Sequence, residues 1–495
     1  MKCKNNGYND IVKTNLIFGG VKVLQVLVTI ARTKIIAVLL GPLGVGIQSL
    51  LNTAMMTLFQ FTNFGIGQSS VRQIAMANEG DNQFMISKIV KYLGLIVGIF
   101  SCFICIIFSK KLSLWTFGNE EYELAFVIIA IALLFESLST SYISIFQGTR
   151  NIKKLSIASL LGSIISLLLS IPLFYYFSIK AIPYAIMIGS GTLCVTYFIF
   201  GRGDTPIKTQ TTLSKSTFLF QSKDILAFGI TLMAGNALMA VFNYLFNAFL
   251  NRYGTTIDVG LYHASSVCTY SAINILVAIL ASDYYPRISN AIADKNKVSK
   301  IFNAQVSLLL LILSPIVCFM ICFPDFFLRM LYSNEFNTVS GSVQIMAISL
   351  FFRIVWHSLS YIILAQGDKI RYFVFDALVG NGIFYIGNII GFYYKGIIGI
   401  AYSYVLMSLI VMLLLYVIVV WNYSIKLIKS NIIILLCILI ISMLLLINDR
   451  LHYRFCETVN ICILIFSICM SFYKVNKLSG LINLIIVKIK TWRRK

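Results

Sequence analysis

Charged side chains are scarce in this sequence. Asp, Glu, Lys and Arg together make up only 12% of the 495 residues, whereas a typical soluble domain carries about 25%. Hydrophobic residues make up 59% of the chain. So few charges cannot cover the surface of a soluble globule, and the composition therefore predicts an all-α polytopic membrane protein.

Metal ligands are also sparse or badly spaced. The three histidines, His263, His357 and His452, are dispersed along the chain. The eleven cysteines have neither the spacing of a metal site nor that of a disulfide framework, and most lie in apolar runs, where Cys behaves as a small hydrophobe. We expect no metal and no organic cofactor, while proton or sodium coupling stays open.

Enzyme signatures are missing as well. The chain has no G-x-x-x-x-G-K-[ST] loop, which excludes a built-in ATPase. It has no Ser, His and Asp set at a common depth and no soluble stretch beyond about 25 residues. We therefore expect that the protein is not an enzyme. The first ten residues are polar and the first apolar run is of spanning length, so we also expect no cleavable signal peptide.

Apolar runs long enough to cross a bilayer core of about 30 Å recur along the chain. The predicted spans are fourteen: 13–40, 44–64, 89–108, 123–146, 155–177, 179–200, 224–250, 260–286, 301–323, 341–366, 371–393, 396–421, 428–447 and 453–473. With the N-terminus inside, the cytoplasmic segments hold 28 Lys and Arg and the opposite side holds 8. The bias predicts that both termini are cytoplasmic. It also accounts for most of the net charge of +22 without any nucleic acid.

Short motifs recur at a nearly constant spacing. Val45-Gly46-Ile47 matches Val259-Gly260-Leu261, Arg72 matches Arg287, and Gln147-Gly148 matches Gln366-Gly367, at spacings of 214 to 219 residues. Because each repeat holds six spans, an even number, we expect two parallel six-helix lobes around a central cavity. The predicted divisions are an N-terminal lobe (1–205), a cytoplasmic linker (206–223), a C-terminal lobe (224–421), two appended helices (422–473) and a basic amphipathic tail (474–495) that lies on an anionic leaflet.

The first predicted helix carries charge at membrane depth. A cation near mid-membrane costs about 2.5–3.5 kcal/mol on insertion scales, so water, a counter-ion or a ligand has to receive it. Helical projection places six polar residues on one face, with Lys34 outside it: Asn15, Lys22, Gln25, Thr29, Arg32 and Thr33. We interpret this face as one wall of a water-filled cavity that accepts an anion. Arg32 and Lys34 are nearer the outer end, and both could instead reach the interface.

The repeat extends this interpretation to the second lobe. At an offset of 214, Lys22, Thr29 and Thr33 correspond to Asn236, Asn243 and Asn247. The three asparagines lie on one helical stripe. Lobe one would then supply cations to the cavity and lobe two would supply amides.

Two further ionisable residues lie at membrane depth. Arg353 is about 12 residues into the tenth predicted helix, on one face with Ser349, His357 and Ser360. It either lines the cavity or forms a buried ion pair with Glu136, which occupies the equivalent depth in the fourth helix. Glu136 is also the best candidate for proton or sodium coupling, unless it is a fixed partner of Arg353 or Lys22.

Polar residues at the cytoplasmic helix ends are candidates for gates. Asp376 and Asp283 lie close to such ends and would form gates or caps, Asp376 being also a possible coupling or pairing group. Arg72, which follows Gly65 and Gly67, and Arg287, which follows Pro286, occupy equivalent positions in the repeat. The alternative is simple helix termination with positive-inside arginines.

These residues resemble a known family. The Gly41-Pro42-Leu43-Gly44-Val45-Gly46 turn after a cationic first helix, Gly65-Ile66-Gly67 before Arg72, and Asp283-Tyr284-Tyr285-Pro286-Arg287 closing the eighth helix are similar to bacterial O-antigen and enterobacterial-common-antigen flippases. These form the polysaccharide branch of the multidrug/oligosaccharidyl-lipid/polysaccharide exporter superfamily, with which the two appended helices also agree.

The resemblance implies transport of an undecaprenyl-diphosphate-linked oligosaccharide from the inner to the outer leaflet of a bacterial inner (plasma) membrane, as in lipopolysaccharide biosynthesis. It implies that Lys22, Arg32, Arg353 and Lys34 meet the diphosphate. The polar residues that would face the sugar are Gln25, Thr29, Asn52, Asn236, Asn243, Asn247 and His357. The expected partners are the lipid-linked oligosaccharide, the bilayer, and in addition a polysaccharide polymerase and a chain-length regulator.

Two other functions remain open. A cation-coupled multidrug exporter would need an acidic cavity, whereas Lys22, Arg32, Lys34 and Arg353 outnumber Glu136 and Asp376. A membrane polymerase or ligase would need a large external loop, whereas the longest ones here, 110–122 and 324–340, are short.

Overall fold

The computed structural model describes residues 3–77, 81–202, 215–450 and 456–479. Helices form almost all of this part of the chain, and packing divides the chain into two units, Met1–Gly260 and Leu261–Lys495. Part of the predicted linker (203–214), the end of the predicted tail (480–495) and the side chain of Lys22 lie outside the described residues.

Unit one contains α1 to α8 and the first turn of α9. The helices are α1 (Cys3–Thr62), α2 (Ile66–Met76), α3 (Asp81–Ile107), α4 (Ser109–Phe117), α5 (Glu123–Gly148), α6 (Ile152–Phe177), α7 (Ile182–Gly201) and α8 (Lys215–Tyr253). α8 therefore begins inside the segment 206–223 that the sequence assigns to the linker. It packs in unit one, while the division into repeated lobes stays a prediction.

Unit two contains most of α9 and the helices that follow. They are α9 (Thr256–Ile279), α10 (Tyr285–Ala291), α11 (Lys295–Cys322), α12 (Pro324–Leu331), α13 (Ser340–Ala365), α14 (Lys369–Arg371), α15 (Asn381–Tyr423), α16 (Lys429–Arg450) and α17 (Cys456–Ser479). Two π-helical segments, Leu280–Tyr284 and Tyr372–Gly380, interrupt them. α13 is buried on nearly every face, so its side chains reach the interior of the unit.

Nine ranges within the described residues are long and apolar enough to cross a membrane. They are Leu24–Thr62, Asn82–Ile107, Glu123–Gly148, Ile152–Gly201, Lys295–Cys322, Asn334–Ala365, Lys369–Tyr423, Lys429–Asp449 and Thr458–Asn476. Three of them each join two predicted spans, so together they contain twelve of the fourteen. The chain is a multi-pass membrane protein, and the count of fourteen stays a prediction because α8 and α9 are not among these ranges.

α15 is a helical hairpin rather than one straight helix. Gly396 has a φ of 60°, a left-handed conformation that glycine adopts without a Cβ penalty. A Cβ placed on Gly391 would lie 2.5 Å from the carbonyl oxygen of Gly399, which is far closer than a continuous helix allows. The hydroxyl of Ser403 also donates to Asn388 Oδ1 at 2.6 Å. The chain reverses at Gly396 and the two halves of α15 pack tightly.

The long α1 has a comparable break. Gly41 has a φ of 62° and a ψ of −165°. Pro42 follows it at the start of the next helical stretch, where a backbone N–H would have no intrahelical acceptor, so proline loses no hydrogen bond there. The structure therefore ends the first predicted span and begins the second where the sequence places the Gly41-Pro42 turn.

The two copies of the Val-Gly motif meet in unit one. A Cβ on Gly46 would lie 2.0 Å from the carbonyl oxygen of Thr256, and a Cβ on Gly260 would lie 2.0 Å from that of Pro42. Both pairs are related by the offset of 214. The contact is reciprocal, which is what a twofold axis between two equivalent segments produces.

Polar side chains attach α16 and α17 to α11. Asn303 Nδ2 donates to the carbonyl oxygen of Lys426 at 2.9 Å, and Asn431 Nδ2 donates to the carbonyl oxygen of Asn303 at 2.9 Å. The Ser314 and Ser467 hydroxyls are 3.0 Å apart. In lipid, such interhelical hydrogen bonds add to packing in place of a hydrophobic driving force.

Candidate functional site

Arg353 lies in an aromatic cage inside unit two. Its Nη1 donates to the hydroxyl of Tyr270 on α9. Its guanidinium carbon is 4.2 Å from the ring centre of Tyr270, 5.1 Å from that of Phe384 and 5.3 Å from that of Trp356. We name Tyr270, Trp356 and Phe384 the Arg353 cage. The rings stabilise the cation by cation–π attraction, which strengthens where water is excluded.

The guanidinium is not saturated with hydrogen bonds. Arg353 Nε is buried and has no hydrogen-bond partner in the described part of the chain. A buried donor without an acceptor is unfavourable by about 1–3 kcal/mol. Arg353 therefore has one buried donor for which the described residues provide no acceptor.

Asp376 is connected to the cage through Trp356. Trp356 Nε1 and the hydroxyl of Ser360 each donate to Asp376 Oδ1 at 2.6 Å. Because the Trp356 ring also faces Arg353, one side chain contacts both the cation and the carboxylate. Asp376 lies in the π-helical segment Tyr372–Gly380, whose single wider turn is typical of functional sites.

Further aromatic side chains surround the cage. His357, a predicted site residue, stacks on Trp356 with ring centres 5.4 Å apart and planes at 9°. The Tyr404 ring packs edge-on against Tyr270 and Phe384, and its hydroxyl is 2.8 Å from that of Tyr262. The structure thus brings Arg353, His357 and Asp376 together, in surroundings that the sequence analysis did not find.

Arg32, on α1, contacts α6 and α7 of unit one. Its Nη2 donates to the carbonyl oxygen of Ala185 at 3.1 Å. Gly189 makes room for it, because a Cβ there would lie 3.3 Å from Arg32 Nη1 and 3.3 Å from the Ser166 hydroxyl. Arg32 Nε and Ser166 Oγ are both buried without a hydrogen-bond partner among the described residues. Arg32 thus also retains a free donor, but it faces α6 and α7.

The remaining predicted residues of α1 differ in their environment. Gln25 Nε2 donates to the hydroxyl of Ser159 on α6. The Thr29 and Thr33 hydroxyls donate to carbonyl oxygens of α1 itself, at 2.9 and 3.0 Å. Lys34 is partly buried, and so is Asn52.

The three asparagines of α8 lie in unit one. Asn236 and Asn243 are exposed, whereas Asn247 is buried. Asn247 Nδ2 donates to the backbone oxygen of Asn243 at 2.8 Å and to its Oδ1 at 3.2 Å. Asn236 therefore has an accessible amide, and Asn243 and Asn247 form a pair.

Glu136 is a membrane-depth carboxylate on α5. The hydroxyl of Ser190 on α7 donates to its Oε2 at 3.3 Å, a long hydrogen bond. Within the described residues this is its only recorded polar contact. Such a carboxylate can exist in a charged and a neutral form.

The predicted gate residues lie at helix ends. Arg72 is exposed on α2 of unit one. In unit two, Arg287 Nη2 is 2.8 Å from Asp283 Oδ1, and both side chains are largely exposed, so this ion pair is worth little by itself. Between them Tyr284 is fully buried, and its hydroxyl donates to the carbonyl oxygen of Ser358 at 3.0 Å. The buried tyrosine anchors the π-helical segment to α13.

Metal-binding clusters of three or more His, Cys, Asp or Glu are not found among the described residues. The arrangement instead offers buried guanidinium donors in each unit, isolated carboxylates and exposed amides. A buried guanidinium donor of this kind can form a charge-assisted hydrogen bond with an anion.

Solved structures with a similar fold include one flippase and several multidrug transporters by name. The lipid II flippase MurJ in an inward closed conformation is 14% identical, with 93% of this chain and 99% of that chain covered and a TM-score of 0.69. A multidrug resistance MATE family transporter of the MOP superfamily, inward-facing, is 14% identical, with 81% and 94% covered and a TM-score of 0.67. The Vibrio cholerae MATE transporter VcmN in its bent form is 15% identical, with 86% and 99% covered and a TM-score of 0.52.

Sequence families give a more specific result. No curated protein matches the chain. The family model described as polysaccharide biosynthesis protein matches residues 35–341, which is more than half of the sequence. The chain has a fold similar to that of MurJ and the MATE transporters, and it belongs to the polysaccharide biosynthesis protein family.

Proposed function

We propose that this protein is a flippase that moves an undecaprenyl-diphosphate-linked O-antigen unit, or a similar polysaccharide repeat unit, from the cytoplasmic to the periplasmic leaflet by alternating access. The observation that carries the proposal is the position of Arg353. A guanidinium in the interior of a membrane helix, with a buried Nε that has no acceptor in the described part of the chain, is retained at a free-energy cost. A diphosphate supplies the missing acceptor, and its oxygens match the planar donor fork of arginine.

Two comparisons support a lipid-linked saccharide as the cargo. The family description concerns polysaccharide biosynthesis, and the name of one protein with a similar fold is lipid II flippase. The exposed amides of Asn236 and Asn243 provide donors and acceptors for sugar hydroxyls. A polymerase and a chain-length regulator are the partners we expect to receive the translocated unit.

Energy for the transport cycle would come from proton or sodium binding. Glu136 is the first candidate, because its one recorded hydrogen bond, from Ser190, leaves the charged form poorly compensated. Asp376 is the second, because its contact with Trp356 connects it to the Arg353 cage. Binding of a cation at either carboxylate would change the charge of the unit that carries it.

Reconstituted proteoliposomes test the proposal directly. The probe is a short-chain polyprenyl diphosphate that carries a fluorescent disaccharide, and the measurement is the rate at which the label becomes accessible to a quencher on the other side. Arg353→Ala should slow this rate about tenfold or more, because a hydrogen bond to a charged group contributes about 1.5–3 kcal/mol. Arg329→Ala, which alters an arginine of α12 outside the cage, is the matched control. Equal rates for Arg353→Ala and the wild type would refute the proposal.

A cation-coupled multidrug exporter is the second candidate function. The likeness to MATE transporters and the membrane-depth carboxylate of Glu136 favour it. The same proteoliposomes distinguish the two, with a fluorescent cationic dye as the probe. Dye transport that Glu136→Gln abolishes, without movement of the polyprenyl probe, would establish the exporter instead.

A further inference from the structure

A groove with two arms lies on unit two beside the turn of α15. The first arm, about 510 Å³, lies between the two halves of the hairpin, where Gly391 and Gly399 form a floor without side chains. The second arm, about 440 Å³, lies between α13, the second half of α15 and α16, and Phe352 and Met443 are among its lining residues. Both arms are lined almost entirely by apolar atoms.

A ridge separates the two arms. Tyr402 and Leu406, one helical turn apart on α15, line both arms, and both are exposed. Because the arms diverge on either side of one helix face, a single linear hydrocarbon chain cannot fill both of them. Two hydrocarbon chains that are joined at one end can fill both arms.

A cation lies at the end of the first arm. Lys395 is exposed at the turn of the hairpin, and its Nζ is 5.8 Å from the centre of the Tyr402 ring. No carboxylate of the described chain pairs with it. Tyr393 and Tyr394, 84% and 79% exposed, precede it, and exposed tyrosines of this kind mark the headgroup level of a bilayer.

We propose that this two-armed groove binds one anionic diacyl phospholipid. The phosphate lies on Lys395, and one acyl chain follows each arm, with the ridge of Tyr402 and Leu406 between them. The site is separate from the Arg353 cage and does not depend on the transported cargo.

The chain supplies a matched control for the headgroup contact. At the turn between α6 and α7, Tyr175 and Tyr176 are likewise exposed and Lys180 follows them. The two tyrosine pairs are 218 residues apart. Lys180 therefore also follows an exposed tyrosine pair at a turn between helices, but it lines neither arm of the groove.

Native mass spectrometry of the full chain tests the headgroup contact. The protein is purified in detergent and mixed with equal amounts of dioleoyl phosphatidylglycerol and dioleoyl phosphatidylcholine. We expect phosphatidylglycerol to be retained preferentially, and we expect Lys395→Gln to lower this preference about fivefold while Lys180→Gln leaves it unchanged. Equal retention of the two lipids by the wild type, or an equal effect of the two lysine variants, would overturn the proposal.

A second pair of variants tests the arms. Met443→Trp places a large ring in the second arm, and Leu436→Trp places the same ring two turns away on the same helix, outside the groove. We expect Met443→Trp to reduce retention of phosphatidylglycerol to the level of the single-chain lysophosphatidylglycerol, and Leu436→Trp to have no effect. If the wild type retains the one-chain and two-chain lipids equally, or if the groove is covered by a second copy of the chain that excludes lipid, the proposal fails.

Discussion

Arg353 shows how one residue can carry charge inside an apolar unit. Three aromatic rings and one tyrosine hydroxyl surround the guanidinium, so that cation–π attraction replaces part of its hydration. Asp376 contacts the other side of Trp356 and partly balances the charge. The cage holds the fork of Arg353 in place, while its Nε has no acceptor among the described residues. In the proposed function, a side chain held in this way would bind the phosphate without rearrangement.

Arg353→Lys distinguishes the shape of the side chain from its charge. Lysine keeps the positive charge, but it lacks the planar face that lies against the rings and the fork that matches two oxygens. We therefore expect flipping of the polyprenyl diphosphate probe to fall nearly as far as in Arg353→Ala, with normal amounts of protein in the membrane. Arg329→Lys is the control. Wild-type rates in Arg353→Lys would mean that charge alone is sufficient.

Trp356→Phe isolates the contact between the cage and Asp376. Phenylalanine keeps a ring beside Arg353 but removes the Nε1 donor, so Asp376 retains Ser360 as its donor on α13. The loss of one hydrogen bond to a buried carboxylate should lower the free energy of unfolding by about 1–2 kcal/mol. Thermal unfolding in detergent measures this loss of stability. Trp115→Phe, at an exposed site on α4, should have no effect, and an equal shift in both variants would contradict the assignment.

The sequence identified individual candidate site residues only where a charged residue lies near the middle of an apolar run, that is, at membrane depth. Arg353 follows from its position in an apolar run, because a charge there is expensive wherever the helix lies. Its partners do not follow, because Tyr270 and Phe384 come from other helices and aromatic residues are common in apolar runs. Gln25 was placed on a polar face, but its partner Ser159 lies 134 residues away. No local pattern encodes such a distance.

Glycines decide how the elements pack. The Gly41 and Gly396 turns were within reach of sequence reasoning, because a left-handed residue next to a proline or between two apolar runs ends a helix. The π-helical segments were not, because one extra residue in a turn leaves no mark in hydropathy. The segment Tyr372–Gly380 that carries Asp376 was therefore predicted as ordinary helix.

The reciprocal glycine contact between α1 and α9 can be tested as a pair. Gly46→Val and Gly260→Val each place a Cβ about 2.0 Å from a carbonyl oxygen of the opposite helix, so the backbones have to separate. We expect each variant to reduce folded protein strongly. If the contact is reciprocal in solution, the double variant should be little worse than either single one, since the first substitution already separates the helices.

Gly235→Val on α8 is the control for these substitutions. A Cβ there meets nothing within 4 Å, so only the lower helix propensity of valine acts. Yield and monodispersity after detergent extraction give the readout. Strictly additive losses from Gly46→Val and Gly260→Val would show that the two glycines act independently.

At the scale of the whole molecule, the fold class was predictable because lipid allows few solutions. Every backbone polar group has to be satisfied within the membrane, so apolar runs of spanning length become helices. Which helices pack in one unit was less accessible. α8 packs in unit one through contacts such as that of Gly229 with Gly65, where backbones meet, and hydropathy carries no signal for such contacts.

Orientation across the membrane is the prediction that the charge count makes for the entire chain. With both termini inside, the α15 turn at Lys395 faces outward and the first turn of α11, with Lys297, faces the cytoplasm. A membrane-impermeant maleimide applied to intact cells should therefore label Lys395→Cys and not Lys297→Cys, whereas both should react after permeabilisation. The wild type gives the background, since its exposed Cys462 and Cys469 lie within α17, one of the apolar ranges. Labelling of Lys297→Cys alone in intact cells would invert the topology, and with it the direction in which the proposed flippase delivers its cargo.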